Sequence, residues 1–278
     1  MAGHLALGID VGTTGVKVLV IDREGRVRAD AMSEHDLSSP HPGWAEEDAN
    51  AWWKGVTATT KRVLALGEID SREIAAVGVG GMVPAIVLLD DCGRPLRPSI
   101  QQNDARAVAE LDELAKTLDQ DDVYRRCGSY TNSQHVLPRL LWVQRHEASV
   151  WERVRWVMGS YDYITFRLTG NLSLEVNWAV ESGLFDIHRQ AWIPDYLSAG
   201  GVLPSLLPPV RRPLEVVGEV TVEAADATGL LAGTPVVAGS ADHVASALAA
   251  GLRQRGDLLI KFGGAGDVLY CLDRLETH

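Results

Sequence analysis

The sequence predicts an α/β fold whose mixed sheet opens with a three-stranded antiparallel meander and is flanked by helices. Three observations support this prediction. Strand-like segments fill the first 33 residues, an amphipathic helix follows, and later strands do not alternate strictly with helices. Because a purely parallel sheet needs a crossover between paired strands, this order favours a mixed sheet.

Length and composition are those of a globular protein. The chain has 278 residues, of which 46% are hydrophobic and 23% charged, and this length allows about two domains. The net charge of −11 provides no general basic surface for nucleic acid or an anionic membrane, so we expect neither as a partner.

The remaining compositional features concern compartment and cross-links. The 3 cysteines are far apart and form no C-x-x-C, so we expect neither a disulfide framework nor a thiolate zinc site. The opening "MAGHLALGIDVG" lacks the cationic start of a signal peptide, and no apolar run reaches about 18 residues. We therefore expect a cytoplasmic protein.

The N-terminal elements follow from apolar patterning and turns. "LALGI" and "VKVLVID" are strands on either side of "DVGTTG", and "REGR" turns the chain into a third strand, "VRADAMS". A helix is predicted from about Asp48, since Trp52, Val56, Val63 and Leu66 have roughly helical spacing. "IAAVGVGG" and "PAIVLLDDCGRPL" then form a strand pair with a turn at residues 91–93.

The second half is mainly helical at first. Residues 103–170 are predicted to be helical, with Pro138 in the first turn of one helix and Gly170 ending another. "LPSLLPPVRRPLEVVG" indicates an extended surface connection. "TPVVAGSADHVASALAAG" predicts a strand, a polar turn and a helix, and "GDLLIKFGGAGDVLYCL" predicts two strands around a glycine turn.

The turn "DVGTTGVK" is the first candidate site. Gly12 and Gly15 permit positive φ, and such a turn directs successive N–H groups into one concavity suited to phosphate. Further donors at this turn are Thr13, Thr14 and Lys17. The carboxylate of Asp10 either holds a magnesium ion beside these donors or caps its own turn.

A second candidate is Asp242, which stands where an apolar strand meets a helix of small residues. A carboxylate in this position is able to take the proton from an attacking hydroxyl, but it is also a common helix cap. His243 is adjacent, and neighbouring side chains on a helix do not face each other. We therefore expect His243 at the surface or behind the base.

Two further segments contain groups for a polar ligand. "GGMVP" (80–84) and "IQQNDARA" (100–107) each follow an apolar run, and the second supplies Gln101, Gln102, Asn103, Asp104 and Arg106 for a polyhydroxylated ligand. Capping of the next helix by Asn103 or Asp104 is compatible with that role. Trp44, beside three acidic residues, is either a sugar platform or, as we favour, a loop anchor.

Taken together, these segments resemble the FGGY carbohydrate kinases of the actin-like, ribonuclease H-like ATPase superfamily, most of all the xylulokinase-like pentulose kinases. The resembling segments occur in the family's order: "GIDVGTTGVKVLVID", "HPGWAEEDANAWW", "GGMVPAIVLLDDCGRPLRPSIQQNDAR", "YDYITFRLTG" and "TPVVAGSADHVASALAAG". The resemblance implies an N-terminal, sugar-binding actin-like domain over residues 1–249. Residues 250–278 would be the first strands of a truncated C-terminal domain.

The resemblance also implies an activity, namely transfer of the γ-phosphoryl group of ATP to a hydroxyl of a ketose such as xylulose, or of a polyol. ATP and Mg²⁺ would be the cofactors, Asp242 the proton acceptor and Asp10 the metal residue. Nucleotide phosphates would meet Gly12, Thr13, Thr14, Lys17, Gly263, Gly264 and Gly266. The sugar would meet Met82, Val83, Asn103, Asp104 and Arg106, together with Asp242.

Two departures from the family pattern qualify these expectations. Met82-Val83-Pro84 stands where xylulokinases usually have Met-His-Gly, which removes a donor and acceptor and leaves the substrate open among ketoses and polyols. Family enzymes carry a whole second domain, so we expect a fragment with a sugar site and an incomplete ATP site. The alternative is an inactive sugar-binding or regulatory module, and a homodimer is left open.

Overall fold

The computed structural model describes residues 3–262 and 266–274, and the strands are found from the beginning to the end of this part of the chain. In chain order they are β1 (Leu5–Gly12), β2 (Gly15–Ile21), β3 (Val27–Glu34), β4 (Glu46–Glu47), β5 (Ile74–Gly81), β6 (Val87–Leu89), β7 (Ser99–Ile100), β8 (Trp156–Met158), β9 (Leu174–Glu175), β10 (Phe185–Asp186), β11 (Ala191–Trp192), β12 (Val210–Arg211), β13 (Val216–Glu219), β14 (Pro235–Val237), β15 (Ser240–Ala241), β16 (Leu258–Phe262) and β17 (Gly266–Tyr270).

The helices of the same described residues lie mainly between β3 and β16. They are α1 (Ala49–Leu66), α2 (Val108–Thr117), α3 (Gln120–Cys127), α4 (Val136–His146), α5 (Ala148–Trp151), α6 (Ser160–Thr169), α7 (Val176–Glu181), α8 (Pro194–Ala199), α9 (Val222–Thr228) and α10 (Asp242–Ala249). No helix in the described part of the chain is both long and apolar enough to cross a membrane.

A mixed central sheet organises the molecule. Its strand order is β13-β14-β5-β1-β2-β3, and β15 also pairs with β5. The antiparallel pairs β1–β2 and β2–β3 confirm the predicted meander. β1, β14 and β15 all run parallel to β5, which confirms the mixed sheet. β5 therefore has β1 along one edge and β14, then β15, along the other.

One face of β1 is in the core, and the other is partly open. Alternate residues of β1, among them Leu7, Ile9 and Val11, are buried, whereas Asp10 between them is half-buried. Because successive side chains of a strand point to opposite faces, Asp10 lies on the open face. α1 packs on β2 and β3 and buries Trp52. The helix begins where it was predicted, and its N-cap is Asp48, whose side chain accepts the N–H of Asn50 at 2.9 Å.

The hairpin between β1 and β2 corrects one prediction. Gly12 pairs with Gly15 across a two-residue turn, and neither glycine has a positive φ. The requirement at Gly15 is steric instead, since a Cβ there would lie 2.3 Å from the carbonyl oxygen of Ser33 on β3. Close approach of β3, rather than a left-handed backbone, explains this glycine.

The predicted pairing of the strands after α1 is wrong. β6 pairs antiparallel with β8 rather than with β5. Both edges of β5 are already occupied by other strands, so the segment that follows it must leave the central sheet.

The predicted boundaries in the second half need smaller corrections. The helical stretch is interrupted by β8, and the proline-rich connection contributes β13 to the sheet edge. α2 begins only at Val108 and has no side-chain cap, so neither Asn103 nor Asp104 caps it. Gly170 ends α6 with a φ of +72°, as predicted.

A buried polar network connects α6 to α7. The Tyr161 hydroxyl donates to Oε2 of Glu175 at 3.0 Å, and Asn177 donates to the same carboxylate through its N–H and its amide, both at 2.9 Å. Oδ1 of Asp162 accepts the N–H of Glu175 at 2.8 Å. Burial raises the pKa of Glu175 to about 7, although the bonds from Tyr161 and Asn177 lower it.

We expect Glu175→Gln to change the pH dependence of stability. A carboxyl whose pKa is raised on folding holds its proton more tightly in the folded chain. Its contribution to the free energy of unfolding therefore falls as the pH rises from 4.5 to about 7. Urea unfolding across this window should show the wild-type chain losing stability relative to Glu175→Gln.

Glu113→Gln is the control for this experiment. A side-chain bond from Arg145 lowers the pKa of Glu113 below its usual 4.5, so its contribution is lost only at lower pH. The stability difference for Glu113→Gln should stay constant across the same window. A constant difference for Glu175→Gln as well would contradict the raised pKa.

Gly239 separates β14 from β15 and determines how the chain returns to β5. Its φ is +91°, and a Cβ at this position would lie 1.9 Å from the carbonyl oxygen of Val79 on β5. Only glycine combines the left-handed backbone with so close an approach. The placement of Asp242 after β15 therefore depends on Gly239.

We expect Gly239→Ala to destabilise the chain by about 2 kcal/mol or more, since it adds a steric clash to backbone strain. Gly251→Ala is the matched control because Gly251 has a φ of +98° but nothing within 4 Å of a Cβ. Strain alone should cost about 1 kcal/mol there. Equal losses in urea unfolding would contradict the proposed steric constraint.

Candidate active site

Asp10 lies near the end of β1, and Asp242 directly follows the end of β15. These two strands pair with opposite sides of β5. In the parallel register, Asp10 lies opposite Gly80 from one side, and Ser240 lies opposite Gly80 from the other. Asp242 follows β15 directly and is the first residue of α10. The carboxyl ends of parallel strands lie at the same end of a sheet, so the two carboxylates, one on each side of β5, face the same region.

The charge of Asp242 acts on Asp10. The pKa of Asp10 is raised, first by burial and then by the negative charge of Asp242, while Lys17 lowers it. Lys17 is the direct cross-strand partner of Asp10. The groups that act on Asp10 do not include a hydrogen bond from its own turn, so the turn-cap interpretation finds no support in the described residues. Two carboxylates in one region suit a divalent cation or proton transfer.

The remaining residues of the first predicted phosphate turn lie at the tip of the β1–β2 hairpin. Thr13 is half-buried and Thr14 is exposed. The Thr14 carbonyl accepts the N–H of His35 at 3.3 Å, which ties the turn to the end of β3. The two hydroxyls and the Lys17 ammonium are thus the polar side-chain groups that the hairpin presents.

The segment that was predicted to form the substrate loop leaves β5 at Met82. The Met82 side chain is only 1% exposed. Its N–H donates to the carbonyl of Val11 at 3.1 Å, and its carbonyl accepts the hydroxyl of Ser160 at 2.7 Å. Val83 is half-buried. Met82 therefore fixes the start of this loop, and the more accessible side chain is that of Val83.

Asp104 and Arg106 form the centre of a buried ionic cluster. Arg106 donates twice to Asp104, from Nε at 2.8 Å and from Nη2 at 2.7 Å, and Nη2 also lies 2.8 Å from Glu46. Asp104 accepts the N–H of Ala45 at 2.6 Å. The guanidinium carbon of Arg106 stacks 3.8 Å above the Trp44 ring, which supports the loop-anchor interpretation of Trp44.

The electrostatics of this cluster favour ionised groups. Burial raises the pKa of Asp104, but the bonds from Arg106 and Ala45 outweigh it, so the net shift is downward. The pKa of Arg106 is raised, since its bonds to Asp104 and Glu46 outweigh burial. The cluster locks the loop before α1 against the loop before α2. Asn103, by contrast, is exposed.

Several buried polar atoms beside this cluster lack a partner among the described residues. They are Oε1 of Gln101, Oε1 of Gln102 and Nη1 of Arg106. A buried polar group without a partner is costly, so such groups commonly bind ordered water or a ligand. They are two acceptors and a donor that a polyhydroxylated molecule is able to satisfy.

Sequence reasoning missed the residues that surround Asp242. Nδ1 of His243 lies 3.7 Å from Oδ1 of Asp242, so the expectation that the two side chains do not face each other is wrong. At the first turn of a helix the His243 N–H is free to bond the preceding side chain, and it does so at 2.6 Å. Asn177 contacts Ser240 at 3.4 Å, and Glu181 contacts His243 at 3.6 Å. Nothing in "VNWAVE" marked α7 as a neighbour of this site.

Of the second predicted phosphate turn, only Gly266 lies among the described residues. Gly263 and Gly264 lie outside the described residues, and Gly266 begins β17 in an exposed position. β16 and β17 form an antiparallel pair, as predicted, and this pair is a two-stranded sheet of its own. Phe262 is 89% exposed and Val268 is 71% exposed.

Comparison with known proteins relates this geometry to a family. Residues 5–249 match the model of the FGGY family of carbohydrate kinases, N-terminal domain. A xylulose kinase of Escherichia coli (strain K12) is 33% identical over 261 residues, which cover 94% of this chain and 53% of that protein. The chain spans about half the length of the curated relatives it matches.

Solved structures agree with this match. A xylulose kinase from Rhodospirillum rubrum is 43% identical, with a TM-score of 0.92 over 95% of this chain and 54% of that one. Plasmodium falciparum glycerol kinase with ADP, at 18% identity, shares the fold with a TM-score of 0.89 over 97% of this chain and 55% of that one. With a family model matched along most of its length, the chain belongs to the FGGY family of carbohydrate kinases and has their actin-like ATPase fold.

Proposed function

We propose that this chain carries the sugar site and part of the phosphate site of an ATP-dependent carbohydrate kinase, which phosphorylates a hydroxyl of a ketose or polyol. The observation that carries the proposal is the placement of Asp10 and Asp242 at the carboxyl end of the central sheet, on either side of β5. Relatives named xylulose kinases make a pentulose such as xylulose the first substrate to test.

Asp242 is the proposed base. Its side chain is 46% exposed, so a hydroxyl is able to reach it. In the reaction, the sugar oxygen forms a bond to the γ-phosphorus as the bond from that phosphorus to the ADP oxygen breaks. Asp242 takes the hydroxyl proton, which keeps positive charge from accumulating on the attacking oxygen.

Asp10 is the residue that we propose for Mg²⁺. Its half-buried carboxylate supplies an oxygen ligand, and Mg²⁺ commonly takes one or two carboxylates together with substrate phosphates and water. When bound, the ion would offset the negative charge of the phosphates. Lys17 supports the ionised form of Asp10 that this role requires. Thr13 and Thr14 would donate to the phosphates from the hairpin tip.

The sugar hydroxyls would meet the unpartnered polar atoms of Gln101, Gln102 and Arg106. In this proposal Asp104 serves mainly to hold Arg106, since both of its oxygens already accept bonds from that residue. Val83 would contact the apolar edge of the sugar. A ketose or polyol offers hydroxyls at successive carbons, which suits a group of donors and acceptors.

We further propose that residues 1–249 form the sugar-binding domain and that residues 250–278 begin a second, actin-like domain. The exposed apolar side chains of β16 and β17 support this division, because such strands are normally covered by further strands or helices. In this proposal the chain alone binds sugar and has an incomplete ATP site.

Asp242→Ala should separate binding from transfer. Calorimetry with xylulose, ribulose and a polyol should give an affinity for the preferred sugar within about threefold of that of the wild-type chain, since several other groups hold the sugar. Transfer from radiolabelled ATP to the sugar, which we expect to be slow in this chain, should fall by about 10²-fold or more.

Asp112→Ala, which removes an exposed carboxylate on α2, is the control and should change neither quantity. Undiminished transfer by Asp242→Ala would exclude Asp242 as the base. Absence of binding by every ketose and polyol would contradict the sugar site, and rapid sugar-dependent ADP formation by the wild-type chain would contradict the incomplete ATP site.

A further inference from the structure

His243 lies between two carboxylates that belong to different helices. Its Nδ1 is 3.7 Å from Oδ1 of Asp242 on α10, and its Nε2 is 3.6 Å from Oε1 of Glu181 on α7. Its backbone N–H also donates to Oδ1 of Asp242, at 2.6 Å. Both the ring and the main chain of His243 therefore face the same oxygen of Asp242.

The charged groups around His243 come from three elements. The pKa of His243 is raised, first by the contact of its ring with Asp242 and then by the charges of Glu181 and Asp267, although burial opposes the shift. Asp267 on β17 is itself paired with Lys261, at 3.6 Å. In the protonated ring both nitrogens donate, so one imidazolium is able to serve both carboxylates.

We propose that His243 is a positioning residue for Asp242, held in place by Glu181, and that it fixes Oδ1 so that Oδ2 receives the proton of the sugar hydroxyl. This inference rests on the proposed role of Asp242 as the base. Without the ring contact, this half-exposed aspartate is held only by the backbone N–H of residue 243 and samples other rotamers more readily. Proton transfer depends on a fixed geometry, so restricting the rotamer favours the reaction.

The competing explanation is a surface pair without consequence, since exposed ion pairs contribute little to stability. The chain contains a reference for that case: Nε2 of His4 lies 3.6 Å from Glu73, at the exposed beginning of β5. The pairs at His243 and His4 have the same separation. They differ in the second carboxylate, which only His243 contacts.

Nuclear magnetic resonance on this chain tests the proposal without sugar or nucleotide. Glu181→Gln should lower the titration midpoint of the His243 ring by about half a pH unit, because it removes a negative charge that raises the pKa of the ring. Three-bond couplings to Cγ of Asp242 should report one χ1 rotamer in the wild-type chain. In His243→Asn the backbone N–H of residue 243 still donates to Oδ1, so these couplings should be partly, not fully, averaged over other rotamers.

His4→Asn is the matched control and should leave both the His243 midpoint and the Asp242 couplings unchanged. An unchanged His243 midpoint in Glu181→Gln would overturn the role of Glu181 in holding His243. Equal Asp242 couplings in the wild-type chain and in His243→Asn would overturn the positioning role. Neither readout depends on sugar binding, so both outcomes are independent of the calorimetric test of the proposed function.

Discussion

Parallel pairing along both edges of β5 is the constraint on which the rest of the structure depends. β1 occupies one edge and β15 the other, and in register they place Asp10 and Ser240 opposite the same residue, Gly80. Asp242 follows two residues later. The pairing also excludes β6 from the central sheet, and β6 pairs with β8 instead. Gly239 makes the arrangement possible because it lets the backbone pass against Val79.

The pKa of Asp10 is raised first by burial and then by the negative charge of Asp242, so holding both carboxylates in one region has an electrostatic cost. The protein offsets it locally, with Lys17 opposite Asp10 and His243 beside Asp242. Under the proposed function, these carboxylates would attract the cation that accompanies the nucleotide phosphates. The cluster of Asp104, Arg106 and Glu46 contains two carboxylates and one guanidinium, and it ties the loop before α1 to the loop before α2.

What the sequence predicted well was local. The meander, the start of α1 near Asp48 and the Gly170 terminus depend on short-range patterns, and these were confirmed. The errors concern contacts between distant segments: β6 with β8, β3 against Gly15, and Asp104 with Ala45. For the site, the motifs identified Asp10 and Asp242 but not Glu181 or the His243 contact, because α7 carries no motif and approaches α10 only in the folded chain. The roles of the site residues remain predictions.

Paramagnetic broadening by Mn²⁺, added with ADP, is a direct test of a shared cation region at Asp10 and Asp242, because it locates a divalent cation without requiring turnover. If Asp10 and Asp242 face one phosphoryl-transfer region, the amide signals of residues 10–15 and 242–243 should broaden first, and Asp10→Asn should abolish the effect. The turn at residues 90–92 is the internal comparison, since Asp90, Asp91 and Cys92 form a possible metal-binding group there. First broadening at that turn, or broadening of residues 10–15 that persists in Asp10→Asn, would contradict a cation region at Asp10 and Asp242.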